Sequence, residues 1–144
     1  MSTKELQEKL VSSMKGWQAI EEKAVASTQE IIEKTDHPLI RTVMEIIQTD
    51  SRRHAEVQQM IIDTFEKQEI PITPEDLLEV WDLIEGHIEI ERKTVDYATE
   101  ALTALKGTKM VVVEYLLHYL LTDENKHNEL LDSLEVVKKG MYPY

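Results

Sequence analysis

The sequence predicts an all-α fold, a four-helix bundle of long antiparallel helices. Gly and Pro together supply only eight of the 144 residues, and the helix-breaking segments lie at residues 36–38, 70–74 and 107–108. Each of the four intervening segments carries apolar residues at helical spacing. We therefore expect helices over about 4–35, 38–68, 74–106 and 109–138, within a single domain spanning residues 1–144.

Apolar stripes define the inward face that we expect of each helix. In the second segment the predicted stripe consists of Ile40, Val43, Ile47, Val57, Ile61 and Phe65. In the third it consists of Leu77, Trp81, Ile84, Ile88, Val95, Ala98, Leu102 and Leu105. A stripe of this width is typical of helices that pack against one another around a common core.

Capping residues support the predicted helix ends. Thr73 precedes Pro74, which offers a hydroxyl cap and a proline at the first helical position. Asp36 or His37 is expected to cap the second helix in the same way. Gly107 is suited to the left-handed conformation that follows many helices.

Composition excludes several classes of function. Cys is absent, which rules out a thiolate metal site or a catalytic thiol, and the net charge of −12 opposes binding to nucleic acid. The longest apolar run, residues 110–121, is too short to span a membrane. The first helical pattern begins without a signal peptide before it, so we expect a cytoplasmic protein.

A short motif occurs twice. Residues 49–54 read Thr-Asp-Ser-Arg-Arg-His, and residues 122–127 read Thr-Asp-Glu-Asn-Lys-His. Each copy interrupts an apolar stripe with an aspartate and a histidine. A buried carboxylate or imidazole is costly unless it is paired or bound to a metal, and four-helix bundles build dinuclear metal sites from such side chains.

The polar interruptions are predicted to lie at one level of the bundle. Glu21 and Glu91 interrupt the first and third stripes, as His54 and His127 interrupt the other two. The midpoints of successive pairs fall between residues 37 and 38, between residues 72 and 73, and at residue 109. All three positions lie at or beside the expected turns. Antiparallel helices would therefore bring the four groups into one layer, where their carboxylates would need a cation.

These residues resemble the ferritin-like di-iron carboxylate pattern, in which a Glu on two helices joins a Glu-x-x-His motif on the other two. The chain looks like a short rubrerythrin-type protein without a rubredoxin domain. The resemblance implies that Glu21, His54, Glu91, Glu124 and His127 are metal ligands. It also implies that each aspartate accepts a hydrogen bond from the histidine of the opposite helix. These pairs are Asp123 with His54 and Asp50 with His127.

One position departs from the family pattern. Ser51 stands where the family's second helix carries a bridging glutamate, so the site is one carboxylate short. His87, one turn before Glu91, and Asp50 are the residues that could supply the missing ligand. A centre that lacks both would hold one metal or none.

The resemblance implies a non-haem centre of two Fe ions, with one ion or with Mn or Zn as alternatives. The activity expected of it is rubrerythrin-like peroxidase or ferroxidase chemistry, namely reduction of peroxide or dioxygen, or oxidation of ferrous iron. Because Cys is absent, electrons would come from an external donor protein. The alternative is a non-catalytic bundle with a degenerate site, acting as a metal-binding or dimeric interaction module. The broadly apolar fourth helix suggests a homodimer through that helix.

The length of the linker between the second and third helices and the family resemblance predict different topologies. Ferritin-like folds connect the second and third helices by a long crossover, whereas the linker over residues 69–73 reaches only about 17 Å when extended. A 30-residue helix is about 45 Å long. The linker length therefore favours up-down-up-down order, with the crossover as the alternative.

Overall fold

The all-α fold class predicted from the sequence is confirmed by a computed structural model of the protein, which describes residues 1–67 and 72–140. Four long helices form within these ranges, and no strand is found in them: α1 (Thr3–Lys34), α2 (Pro38–Glu66), α3 (Pro74–Ala104) and α4 (Val111–Gly140). The bounds lie within two residues of the predicted ones. α1 pairs with α2 and α3 pairs with α4, which fits a four-helix bundle.

The chain divides into two compact units, Met1–Pro71 and Ile72–Tyr144, each of which is one helical hairpin. Each hairpin is antiparallel, because contacts pair its helices in reverse order: Gln18 with Gln59 and Gln29 with Gln48 in the first, Trp81 with Lys138 and Thr94 with Glu124 in the second. The single-domain organisation and the up-down-up-down order stay predictions. Most of the linker over residues 69–73 lies outside the described residues.

The predicted helix caps are confirmed. Thr73 and Asp76 form a reciprocal capping box at the start of α3, and Pro74 follows directly. His37 caps α2, because its Nδ1 accepts a hydrogen bond from the backbone N–H of Leu39. Gly107 adopts a φ of 81°, which a side chain would strain, and so allows the chain to leave α3.

In each hairpin the two helices pack along a seam, which is the row of buried or half-buried residues that recurs at alternating spacings of three and four along each helix. In α3 the buried residues Leu77, Trp81, Glu91 and Ala98 follow the predicted stripe. Lys138 of α4 lies over the Trp81 ring at 4.0 Å from its centroid, which covers one end of that seam. A repeat of 3.5 residues keeps such a seam continuous along two long helices.

The buried face of α2 differs from the predicted one. Its buried residues are Gln48, Ser51, Gln58 and Ile62, whereas Ile40, Ile47, Val57 and Ile61 of the predicted stripe are 38–46% exposed. The reason is that α2 carries two adjacent rows of residues with the same spacing. The more polar row, with Gln48, Ser51 and Gln58, forms the seam with α1. The predicted row, which contains Asp50 and His54, lies beside it and is more exposed.

The same double pattern recurs in the other helices. One stripe packs within the hairpin, and a second apolar stripe lies one residue earlier in the sequence. On α3 the second stripe includes Leu83, Ile90 and Tyr97, which are 76%, 55% and 75% exposed. A helix with two adjacent apolar stripes can pack against two neighbours, as helices of a bundle do.

No helix in the described part of the chain combines the length and the apolar character that crossing a membrane requires.

Packing in α2 leads to a prediction that uses adjacent isoleucines. Ile62 is 1% exposed and Ile61 is 38% exposed. We expect Ile62→Ala to lower the free energy of unfolding by about 2–5 kcal/mol, because it leaves a cavity in the seam. Ile61→Ala should cost clearly less in the same urea titration. Equal losses would show that the seam of α2 does not run through Ile62.

The capping box of α3 leads to a pH-dependent prediction. Hydrogen bonds from the Thr73 backbone and side chain lower the pKa of Asp76 from its ordinary value. A carboxyl whose pKa is lowered by folding stabilises the protein above its unfolded pKa of about 3.9, and this contribution is lost as the pH falls through the folded pKa. We therefore expect Asp76→Asn to be less stable than the native protein at pH 6, with the difference shrinking below pH 4. A difference that grew on acidification would contradict this assignment.

Candidate metal centre

The central site of the α3–α4 hairpin begins with Glu91. Glu91 occupies a seam position of α3 that an apolar side chain would ordinarily fill, and it is 7% exposed. His87, one turn earlier on the same helix, lies with its Nε2 at 2.9 Å from Glu91 Oε1. The carboxylate is thus held near the middle of the hairpin by a neighbour on its own helix.

α4 supplies the facing groups. His127 Nδ1 lies 3.3 Å from Glu91 Oε1 and 3.5 Å from Glu124 Oε2. One ligand atom from each of Glu91, Glu124 and His127 falls within 4.8 Å of the others. The i, i+3 spacing of Glu124 and His127 places both on one side of α4, as expected for a Glu-x-x-His motif.

Thr94 connects the two carboxylates and is a residue of the site that the sequence did not predict. Its hydroxyl lies 2.9 Å from Glu124 Oε2 and 2.6 Å from the backbone oxygen of Glu91, with Glu91 Oε2 at 3.4 Å. The available signal was its position three residues after Glu91, on the same side of α3. Thr94 therefore orients Glu124 towards Glu91.

The electrostatics favour an ionised Glu91. The pKa of Glu91 lies below its ordinary value, first because of the hydrogen bond that it shares with the Glu124 side chain. Burial acts in the opposite direction, while His87 and His127 add to the lowering. An ionised carboxylate beside a second carboxylate and an imidazole is a ligand set suited to a divalent cation.

Asp123 supports His127 from behind. Asp123 Oδ2 lies 3.4 Å from His127 Nε2, and its Oδ1 pairs with Lys126 at 2.8 Å. An acceptor on the second ring nitrogen fixes the orientation of an imidazole ligand and leaves Nδ1 facing the carboxylates. The predicted hydrogen bond between Asp123 and His54 stays a prediction.

The α1–α2 hairpin holds a poorer version of this cluster. Glu21 is 7% exposed, with His54 Nδ1 at 3.6 Å from its Oε1. Gln58 Nε2 donates a hydrogen bond of 3.5 Å to the same oxygen. Ser51 is buried at the position that corresponds to Glu124. Asp50, predicted as a possible ligand and as the partner of His127, is exposed at the surface of α2.

Aligning the sequences of the two hairpins shows which residues of the two clusters differ. A shift of 70 residues relates α1 to α3, and a shift of 73 relates α2 to α4. Glu21, Asp50 and His54 then match Glu91, Asp123 and His127. Three further positions do not match, since His87, Thr94 and Glu124 correspond to Trp17, Ala24 and Ser51. The α1–α2 hairpin thus lacks the groups that hold and complete the cluster of the α3–α4 hairpin.

Comparison with known proteins leaves the site to be interpreted from its own chemistry. No protein-family model, curated protein or solved structure matches this chain.

Gln58 leads to a stability prediction for the α1–α2 cluster. Gln58 is 3% exposed, and among the described residues its Oε1 has no hydrogen-bond partner. Gln48, also buried, donates to the Val25 backbone oxygen at 3.2 Å and to Gln29 at 3.0 Å. We expect Gln58→Leu to change stability by less than about 1 kcal/mol, because removal of an unsatisfied buried oxygen offsets the loss of the long 3.5 Å hydrogen bond to Glu21.

Gln48→Leu is the matched control for this prediction. It removes two good hydrogen bonds and should cost about 1–3 kcal/mol in the same denaturation experiment. Equal destabilisation by the two substitutions would mean that Gln58 Oε1 is satisfied in solution.

Proposed function

We propose that the protein is a carboxylate–histidine metal protein whose principal ligands are Glu91, Glu124 and His127. The observation that carries this proposal is the convergence of two carboxylates and an imidazole within 4.8 Å of one another, at seam positions of a helical hairpin. Two adjacent carboxylates are stable there when a cation or a shared proton offsets their repulsion. Oxygen and imidazole ligands suit Fe, Mn and Zn.

The residues around the ligands support this role. Thr94 holds Glu124 and Asp123 holds His127, so two of the three ligands have an outer hydrogen-bonding or ion-pair partner. His87 contacts Glu91 and is 53% exposed at its side chain, so it could serve as a fourth ligand or as a proton carrier between the site and water. Three or four protein ligands would leave positions open for a small substrate.

The activity that we propose for a centre with two Fe ions is peroxide or dioxygen reduction, or oxidation of ferrous iron as substrate. A redox-active metal would supply the electron transfer. Reduction of one hydrogen peroxide to two waters consumes two electrons and two protons, and the electrons would come from an external donor or from two ferrous ions. Within the chain, His87 and His127 are the groups placed to hold protons beside the carboxylates.

A non-catalytic metal-binding or interaction module is the second candidate, and the composition of the α1–α2 hairpin favours it. Glu21 and His54 provide two ligands there, and Ser51 replaces the third. A centre that drew on the residues of this hairpin would lack one bridging carboxylate. Such a centre would hold one metal, or two metals weakly, and would turn over slowly.

Metal titration tests the proposed ligands. We expect purified protein to bind Co²⁺ with a visible absorption that reports carboxylate and imidazole coordination. Loss of a residue that only supports a ligand typically weakens metal binding by about 10–100-fold. Glu124→Ala or His127→Ala removes a ligand itself and should weaken Co²⁺ binding by more than this.

His118→Ala is the matched control, because His118 lies on the same helix and also pairs with a glutamate, Glu114, at 3.7 Å. It should bind Co²⁺ like the native protein. A native protein that binds no Co²⁺, Fe²⁺ or Mn²⁺, or an equal loss in His118→Ala, would rule out the proposed centre.

Ser51→Glu separates the two candidate functions. Ser51 is buried and borders an open groove of about 430 Å³ on the α1–α2 hairpin, towards which a longer side chain at this position can extend. If the native site is deficient because of Ser51, the variant should bind more iron per chain and reduce peroxide faster, measured with ferrous iron under anaerobic loading. An unchanged iron content would show that Ser51 does not limit the site.

A further inference from the structure

We infer that a second copy of this chain completes the metal centre, so that a dinuclear site forms between two α3–α4 hairpins. This inference rests on the proposed function and extends it by naming the partner that supplies the missing ligands. It follows from the unequal hairpins, from the face on which the ligands lie, and from the charge of the cluster.

One α3–α4 hairpin carries too few ligands for a dinuclear centre. One α3–α4 hairpin provides two carboxylates and one imidazole, which is half of the set that a dinuclear carboxylate centre requires. Two copies related by a two-fold axis would provide the whole set: Glu91, Glu124 and His127 from each. The α1–α2 hairpin cannot provide an equivalent half, because Ser51 and Ala24 replace the Glu124–Thr94 pair.

The ligand cluster borders an apolar surface of the α3–α4 hairpin. On α3 and α4 the second apolar stripes lie on the same side of the hairpin, because each stripe lies one residue before the seam and the helices are antiparallel. His87 and His127 belong to these stripes, so the ligand cluster borders this surface. We call it the α3–α4 apolar face, and it comprises Val80, Leu83, Ile90 and Tyr97 of α3 with Val113, Leu116, Leu120, Leu130 and Val137 of α4.

The size of this face suits a dimer. All nine side chains are 36–76% exposed. Each leaves on the order of 100 Å² open, which makes the apolar face comparable with the roughly 800 Å² that a standard interface buries per partner. Apolar residues lie on both sides of the ligand cluster along each helix, with Leu120 before His127 and Leu130 after it. A two-fold contact centred on the cluster would therefore surround two metals with apolar side chains.

Charge balance links metal binding to dimerisation. Bringing two copies together without metal would place four carboxyl groups in one apolar interface, where they repel one another unless they hold protons. Two divalent cations carry four positive charges and balance them. Metal binding and dimerisation should therefore be coupled, with one metal bound per chain.

Sedimentation with Co²⁺ as the probe tests this inference on the full chain. We expect the protein stripped with a chelator to sediment as a single copy at low micromolar concentration, and added Co²⁺ to convert it to two copies with an end point of one Co²⁺ per chain. His118→Ala, the control of the metal titration, should convert to two copies as the native protein does. Glu124→Ala should stay a single copy.

Leu130→Gln tests the face without touching a ligand. Leu130 is 64% exposed, so its replacement should leave the hairpin folded while weakening the dimer and, through it, the Co²⁺ affinity by about tenfold or more. Val136→Gln is the control, because Val136 is 68% exposed on α4 but lies off the apolar face. It should dimerise normally.

The outcomes separate the two proposals. Tight Co²⁺ binding by a single copy would overturn the dimeric site while leaving the metal function intact. A Co²⁺ affinity that stays the same in Leu130→Gln as in the native protein would also overturn the dimeric site. Absence of binding to the native protein at any concentration would contradict the proposed function itself.

Discussion

The crowding of Glu91 and Glu124 in the seam of the α3–α4 hairpin is the constraint on which the interpretation of this protein depends. A helical hairpin of this length is stabilised by continuous apolar contact along its seam, and two carboxylates interrupt that contact at its middle. The hydroxyl of Thr94 and the imidazole of His127 organise the interruption without neutralising it. A cation would relieve the repulsion and use every group already in place.

The repeat within the chain makes the two hairpins directly comparable, and they differ in the groups around the shared residues. Both contain a buried glutamate and a facing histidine. In the α1–α2 hairpin the surrounding residues make neutral hydrogen bonds, with Gln58 donating to Glu21 and Gln48 donating to Val25 and Gln29. The second carboxylate that crowds the α3–α4 seam has no counterpart there, because Ser51 stands at that position.

The sequence was sufficient to predict the helices and the carboxylate and histidine residues that each hairpin brings together, because both depend on local signals. Breakers and caps such as Thr73 and Gly107 mark helix ends, and the spacing of Glu124 and His127 is readable along one helix. It was insufficient to choose between two adjacent apolar stripes on α2, since Ile61 and Ile62 are equally apolar and packing alone decides which one is buried. Thr94 was missed for a related reason, because a threonine beside a glutamate has no distinctive signal until α4 brings Glu124 to its hydroxyl.

The central claim is that Glu91, Glu124 and His127 bind one metal ion together. Anomalous X-ray diffraction from crystals of the full chain grown with Co²⁺ tests it most directly. We expect a cobalt peak within about 2.0–2.3 Å of a carboxylate oxygen of Glu91, a carboxylate oxygen of Glu124 and a ring nitrogen of His127. A fully occupied cobalt bound elsewhere, with these three side chains still hydrogen-bonded to one another, would contradict it.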